Sequence, residues 1–590
     1  MKYNLINENY KNNYGENLIR GRGVEDIKLF LEPDNSCLLH PLLLNNIEEA
    51  AQRYFDILLN NKTPSIFLVV DSDIDGFTSA AIFYKYTKDI CPKAEIEWRL
   101  HEGKQHGLED HINYILDSNK EYHLVVCPDS SSNDYKQHEL LKERGIPVLV
   151  LDHHIIETDC PMSDNAYIVN NQLSKEYKNK QLTGAGIVFQ FCRYLDFYLN
   201  KSLSSKYIDL AALGIIGDMG SVIELENRYI IKEGLSNVKN EFFWELMRKQ
   251  GYSITGKMNP SDCDILKKMT PITTAFYIVP LVNAMIRVGT MPEKERAFLA
   301  FIDGKQEVPS SKRGAKGTYE QVCIESAREC YNARNRQNKK KEEIVESLKD
   351  RILKGDLLEN KILFIRLEEE DDFPPELNGL ISMQLSAKYK KPTIVARLNE
   401  EGYVRGSMRG LSNSPLADFK EFLMNSGYFE YVMGHPNAAG CSIKNQDLRA
   451  FHEYANKELA DMNFGENVYD VNFVRFANDS DIVDIIYDLN NYSTVWGQCN
   501  NEPSIFIREI HLTTKDIQVI GNKADTVKFV KNGICYLQFH AKKLIEDLAR
   551  FDDFTISVVG RTNVNEWCGN YTPQIFIDDY EIKEYNVTSF

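Results

Sequence analysis

The chain has 590 residues, 43% of them hydrophobic and 26% charged, and a formal net charge of −17. That length exceeds one hydrophobic core and predicts about three or four domains of ordinary globular composition. No apolar run reads as the ~18 residues of a membrane span, and the opening MKYNLINENYKNNYGENLIR lacks a signal-peptide core, so a cytoplasmic location without a membrane partner is expected.

The 12 cysteines show no CxxC pair and no zinc-type spacing, and they read as reduced thiols. The acidic balance argues against a protein that coats nucleic acid, because non-specific affinity comes from Lys and Arg on phosphates. It leaves room for a local basic groove, and for a carboxylate cluster whose charge is offset by bound cations.

Residues 1–60 carry no chemical motif and are expected to pack on the first domain or to form a helical lead-in. From Ile66 to Val70 a β-branched, apolar run stops at Asp71-Ser72-Asp73-Ile74-Asp75-Gly76, and the following FTSAAIFYKYTK has helical spacing. The same strand-then-acid pattern returns at Leu124–Val126 before Cys127-Pro128-Asp129-Ser130, and at Val148–Leu151 before Asp152-His153-His154. A fourth apolar stretch, Leu210–Ile216, reads as a strand or as the end of a buried helix and runs into Gly217-Asp218-Met219-Gly220. Such runs alternating with helices predict a parallel sheet covered on both faces. Ligands bind beyond the carboxyl ends of such strands, which brings Asp73, Asp75, Asp129, His153 and Asp218 to one crevice.

Each motif alone has a commonplace reading. The DxDxDG run resembles a calcium loop, but it follows a strand and has Ile82 at the twelfth position, where such a loop needs Glu. A single strand-end Asp is usually a helix cap, and paired histidines usually lie on a surface. Their joint occurrence at successive strand ends points elsewhere. Several carboxylates at one edge repel unless cations lie between them, and oxygen-rich ligands with one or two imidazoles suit Mn²⁺ or Mg²⁺. Two such ions about 3.5–4 Å apart support phosphoester hydrolysis.

Further along, 236–320 is mostly helical by pattern, with a break at PSSKRGAKG, and Tyr319 to about Lys354 reads as one long charged helix between domains. A second α/β unit is predicted from strand Lys361–Arg366, helix Leu377–Tyr389 and strands Thr393–Arg397 and Tyr403–Met408. Ser407 and Arg409 alternate on one strand face, and the glycines and histidine of Gly434-His435-Pro436-Asn437-Ala438-Ala439-Gly440 suit either a tight turn or a phosphate contact. After about residue 465, short alternating strands (504–512, 525–530, 533–541, 554–561) predict a five-stranded barrel, a fold used for single-stranded nucleic acid or for docking.

These segments resemble a known family. DSDIDG, Asp129, DHH at 152–154 and GIIGDMG at 214–220 are similar, in order and spacing, to the motifs of the DHH phosphoesterases. HEGKQHGL (101–108), LTGAGIVFQF (182–191), 209–235, VPLVNAMIRVG (279–289) and the tail from WGQCNNEP (496–503) to 582 resemble the RecJ nucleases in particular, while GSMRG (406–410) and GHPNAAG (434–440) resemble the signatures of the DHH-associated domain. Two positions depart: PDSSSND stands where RecJ usually has an Asp-Cys-Gly turn, and Leu281 where it often has Arg. Both bear on substrate preference more than on metal chemistry.

The resemblance implies an α/β protein with a parallel-sheet DHH domain (61–235), a helical region and long connecting helix (236–354), a smaller α/β DHH-associated domain (355–462) and a C-terminal OB-fold β-barrel (463–590). It further implies two divalent cations, Mn²⁺ or Mg²⁺, on Asp71, Asp73, Asp75, Asp129, His153 and Asp218, with Asp129 bridging. Asp71 stands as a ligand or as a partner behind the ligands. His154 and His435 join Asp129 as catalytic residues, and Ser407, Arg409, His435, Asn437 and Arg287 as DNA or phosphate contacts; Arg334, Arg336 and nearby lysines border the DNA path. The implied function is 5′→3′ exonuclease action on single-stranded DNA in repair or recombination, by a monomer, with single-strand-binding protein as a candidate partner. The competing readings are a phosphodiesterase for short oligonucleotides or cyclic dinucleotides, and a non-catalytic RecJ-derived scaffold.

Overall fold

A computed structural model describes residues 1–585 apart from 8–9, 104, 158, 316, 369–370, 372, 412–413, 466, 522 and 568. Lys104 of HEGKQHGL, Lys316 of the Gly/Ser/Lys break and Cys568 of the tail motif therefore lie outside the described residues. The chain forms two compact units, one of residues 26–337 and 494–501, the other of 1–25, 338–493 and 502–590.

The first unit is built on a five-stranded, all-parallel sheet in the spatial order Glu95–Leu100, Ser65–Val70, Leu124–Pro128, Val148–Asp152, Ala166–Asn170. The three central strands are buried at every position, which is why they read as unbroken apolar runs rather than as alternation. Helix Ile74–Ile90 packs with helices Gly184–Leu199 and Ile208–Gly217, and all three are largely buried. The fourth apolar stretch is thus helical, and Asp218 caps its carboxyl end. From the Ser65–Val70 strand the chain first goes to one side of the sheet and then to the other, so the crevice falls between the ends of Ser65–Val70 and Leu124–Pro128.

Contrary to the sequence reading, one segment is apolar and long enough to cross a membrane by length and composition: Pro271–Val288, with half of it buried in this unit. It is a helix with a π-helical turn at Thr274–Ile278 continuing into Val279–Val288. Leu281, Val282, Ala284 and Met285 are its buried side.

The long helix, Val322–Lys354, starts three residues later than its sequence pattern suggests, because Tyr319–Gln321 pairs as a short strand with Glu307–Pro309. In the second unit a five-stranded sheet runs in the order Phe429–His435, Ala438–Lys444, Tyr403–Arg409, Thr393–Leu398, Leu363–Leu367. Later in the chain comes a seven-stranded mixed sheet, from Phe473–Phe476 at one edge to Gln518–Ile520 at the other, two strands more than expected; among the described residues no pairing joins its two edges. The extra strands include Asn570–Tyr585, which pairs along Asp553–Trp567. Residues 1–25 belong here: Lys2–Leu5 pairs in parallel with Val468–Val471, and Asp488 accepts the Gly15 amide at 2.8 Å. Residues 26–60 go with the first unit through helix Ile47–Asn60.

Candidate metal centre

Every strand of the parallel sheet delivers a polar group at its carboxyl end: His101, Asp71, Asp129, Asp152 with His153, and Asn170. Asp71 and Asp129 stand at the switch point and are 0% and 1% exposed. Asp73 caps the helix that follows, accepting the Gly76 amide at 3.0 Å, and Asp75 lies in its first turn. Asp218 arrives from the helix end opposite.

Oxygen and imidazole atoms converge here in three overlapping sets whose members lie within 4.8 Å of one another: Asp71, Asp73 and Asp129; Asp129, His153 and His154; Asp75, His153 and Asp218. His153 Nε2 stands 3.1 Å from Asp129 Oδ1 and 3.5 Å from Asp218 Oδ2. Asp129 and His153 each belong to two sets. Asp129 holds its position at φ 63°, and Ser131 follows at φ 78°, so this departure from the family's Asp-Cys-Gly turn puts a serine into the left-handed region.

Burial sets the electrostatics. It pushes the Asp129 carboxyl well up, raises Asp71, and lifts Asp75 to about 7 and Asp218 to about 8, with the neighbouring carboxylates adding to the effect at Asp75, Asp129 and Asp218. Burial and the charge of His154 push His153 down to about 4, leaving a neutral imidazole, the form that ligates metals. At His154 burial opposes charge, but the Asp152 hydrogen bond at 2.7 Å and its negative charge win and lift it to about 9. Asp152 is itself fixed by the amides of Ser132, His153 and His154.

A cation fits this edge. Asp71 Oδ1 and Asp129 Oδ1 are buried and accept no hydrogen bond, a costly state for carboxylate oxygens unless a positive charge faces them. The donor set of carboxylates with one or two imidazoles suits Mn²⁺ or Mg²⁺.

Several groups that hold the site escaped the sequence reading. Asp75 accepts from Thr183 Oγ1 and from the Gly184 and Ala185 amides at 2.8–3.0 Å. A Cβ on Gly184 would come within 2.3 Å of Asp129 Oδ1, and one on Gly214 within 2.3 Å of Asp75 Oδ1, which accounts for the first glycine of LTGAG and the first of GIIGD. His106 Nδ1 bonds Asp71 Oδ2 at 2.5 Å, and His101 approaches the same carboxylate at 3.7 Å. The signal for His106 lies in HEGKQHGL, a segment whose resemblance to RecJ carries no chemistry by itself.

Of the five phosphate-contact candidates, four lie in the second unit. Arg409 pairs in register with Ala438, and Ala438 with His435, so both side chains stand at one end of the sheet. Asn437 Nδ2 bonds the Ala417 carbonyl while its Oδ1 has no hydrogen-bond partner, and Arg409 Nη1 bonds the Met408 carbonyl at 2.7 Å. Ser407 is two residues back along the strand, and His435 is exposed. Arg287 belongs to the first unit, half-buried and within electrostatic range of Asp73.

The sheet edge and its carboxylates are those of a DHH phosphoesterase: the DHH family N-terminal domain matches residues 65–215, and the RecJ OB domain matches residues 479–579. The chain is 37% identical to a SPbeta prophage protein of Bacillus subtilis, YorK, named as a single-strand DNA-specific exonuclease, across 99% of this chain and 98% of that one. It is 24% identical to the single-stranded-DNA-specific exonuclease RecJ of Bacillus subtilis, across 95% of this chain and 67% of that one. Its fold matches the crystal structure of RecJ in complex with Mn²⁺ from Thermus thermophilus with a TM-score of 0.69, at 20% identity, covering 96% of this chain and 75% of that one. The chain belongs to the RecJ family.

Proposed function

We propose that this protein is a divalent-metal-dependent exonuclease that hydrolyses single-stranded DNA from the 5′ end to mononucleotides. The observation that carries the reading is the set of buried, mutually repelling carboxylates at one sheet edge, two of whose oxygens lack any hydrogen bond. The activity in the names of its relatives and the Mn²⁺ and Mg²⁺ of the Thermus thermophilus structures support it.

Asp71, Asp73, Asp75, Asp129, His153 and Asp218 would hold two cations, with Asp129 serving both. Those cations would supply an activated water and charge stabilisation at the phosphoryl group. The rest of the work falls to the chain itself. His154, kept as an imidazolium by Asp152, donates a hydrogen bond to the attacked phosphate. Arg287 balances the acidic edge, while Arg409, with Ser407, Asn437 and His435, grips a strand phosphate; a guanidinium does this with two parallel hydrogen bonds. Metal chemistry is thus assigned to 61–235 and strand contacts to 355–462 and 463–590. The protein acts as a monomer in the cytoplasm, in repair or recombination, with single-strand-binding protein as a partner. A scaffold without activity is disfavoured because every ligand position remains filled.

Digestion of 5′- and 3′-labelled single and double strands with Mn²⁺ or Mg²⁺ tests this reading. Early release of the 5′ label from single strands only, abolished by EDTA, is expected. Early release of the 3′ label overturns the polarity, and undiminished hydrolysis in excess EDTA overturns the metal dependence.

A further inference from the structure

Helix Leu225–Ser236 carries in its first turn a fully buried asparagine, Asn227, which is 0% exposed. Both hydrogens of its amide are used: Nδ2 donates to the Gln181 carbonyl at 2.9 Å and to the Ser221 carbonyl at 3.0 Å. Carbonyls only accept, so these two contacts fix which end of the amide is nitrogen. Its Oδ1 accepts from Asn179 Nδ2 at 2.9 Å, and the same nitrogen of Asn179 donates to Glu226 Oε2 at 2.9 Å.

The two carbonyls belong to different loops, and each loop serves one candidate ligand. Gln181 lies two residues before Thr183, which with Gly184 and Ala185 grips Asp75. Ser221 lies three residues after Asp218, beyond a turn in which the Asp218 amide donates to the Gly214 carbonyl at 2.9 Å and Met219 stands at φ 60°. The loops also press on each other: a Cβ on Gly220 would come within 3.1 Å of the Gln181 carbonyl oxygen. Asp75 and Asp218 are two members of one convergent set, with His153 as the third. The set of Asp71, Asp73 and Asp129 is fixed by other means: His106 on Asp71, the Gly76 amide on Asp73, and the end of strand Leu124–Pro128 at Asp129.

We propose that Asn227 is a positioning residue for one of the two cation sites: by tying the loop that grips Asp75 to the loop that bears Asp218, it fixes the separation of these two carboxylates. The proposal rests on the metal reading of the sheet edge. A leucine of similar size would fill the same space and leave two buried carbonyls without donors, whereas the satisfied amide holds the loops in one arrangement. Carboxylates that repel one another move apart when nothing holds them, so loss of the tie opens the site of Asp75, His153 and Asp218 and leaves the other ion in place.

The test is titration of the metal-free full chain with Mn²⁺ alone, with free ion read by electron paramagnetic resonance. Wild type is expected to hold two ions. Asn227→Ala should weaken one of them about ten-fold or more and leave the other within about two-fold. Asn227→Ser, whose hydroxyl keeps one donor, should weaken the same ion less, and it decides the matter alone if Asn227→Ala does not fold. Asp218→Ala should remove that ion, and adding Asn227→Ala to it should leave the affinity for the remaining ion unchanged, as expected of two residues that act on one site. Thermal melting in EDTA reports folding. Tyr54→Phe is the control: it removes a buried hydroxyl bonded to Thr87 Oγ1 at 2.8 Å, about 20 Å along the helix from Ile74, and should lower the melting temperature with both ions held. Both sites weakened alike, both ions held as in wild type by the folded variants, further loss in the double variant, or loss of an ion in Tyr54→Phe would each refute the tie and leave the metal centre standing. A wild-type chain that binds no Mn²⁺ overturns the metal reading and the proposal with it.

Discussion

Two polar clusters of this protein differ in how deeply they are buried. At the edge of the parallel sheet, Asp71, Asp75 and Asp129 are buried and held by backbone amides, histidines and tight glycine contacts, so the positions of their charges are fixed by the fold. At the end of the sheet in the second unit, His435 is exposed and Arg409 and Asn437 are half-buried; both bond nearby carbonyls and pack against Gly379 and Gly410, so exposure is what separates the clusters. The first arrangement suits chemistry, which needs atoms placed to fractions of an ångström; the second suits gripping a flexible strand, which tolerates adjustment.

The comparison breaks most sharply at Asp129. Asp129→Ala is expected to lower kcat at least about a hundred-fold, or about 2.7 kcal/mol, with strand affinity little changed, and further than Asp71→Ala does. Equal losses would remove Asp129 from its central role. Next comes Asp152→Asn, which should let His154 fall from about 9 toward its ordinary value; activity then declines about ten-fold or more and its alkaline limb moves to lower pH. A pH–rate profile of unchanged shape would mean that His154 does not act as an imidazolium.

A third test uses stability. In EDTA the raised carboxyls of Asp75 and Asp218 hold protons in the folded chain that the unfolded chain has released, so their contribution is full below about pH 4 and lost as pH rises through about 7 to 8. The melting temperature without metal should therefore fall between pH 5 and 8 by an amount worth a few kcal/mol, and Mn²⁺ should restore more of it at pH 8 than at pH 5. The smallest effect belongs to the open cluster: Arg409→Ala should cost a few-fold in the preference for 5′-phosphorylated over 5′-hydroxyl strands, compared by initial digestion rates.

What could be read from the sequence follows the same division. Strand-end ligands were legible because a buried parallel strand is an unbroken apolar run, and the residue after the run must lie at the edge. The Leu210–Ile216 stretch stayed open between strand and helix because a buried helix is apolar all round and loses its period. The groups behind the ligands were not legible: Asp152 reads as part of DHH, but its grip on His154 needs the turn that folds one over the other, and the amides of Gly184 and Ala185 meet Asp75 across more than a hundred residues. Nor does anything local in Lys2–Leu5 announce Val468–Val471 as its partner. The strand count of the C-terminal domain fell short at the longest hairpin, Asp553–Trp567 with Asn570–Tyr585, whose second strand carries too many charged and polar residues to show clean alternation.

The central claim, that the sheet edge is a metal centre, is tested most directly by titrating the apoprotein with Mn²⁺ and following bound ion by electron paramagnetic resonance. Two ions bound per wild-type chain, with binding weakened at both sites by Asp129→Ala, is the predicted result. Absence of stoichiometric binding, or binding indifferent to Asp129→Ala, would contradict it.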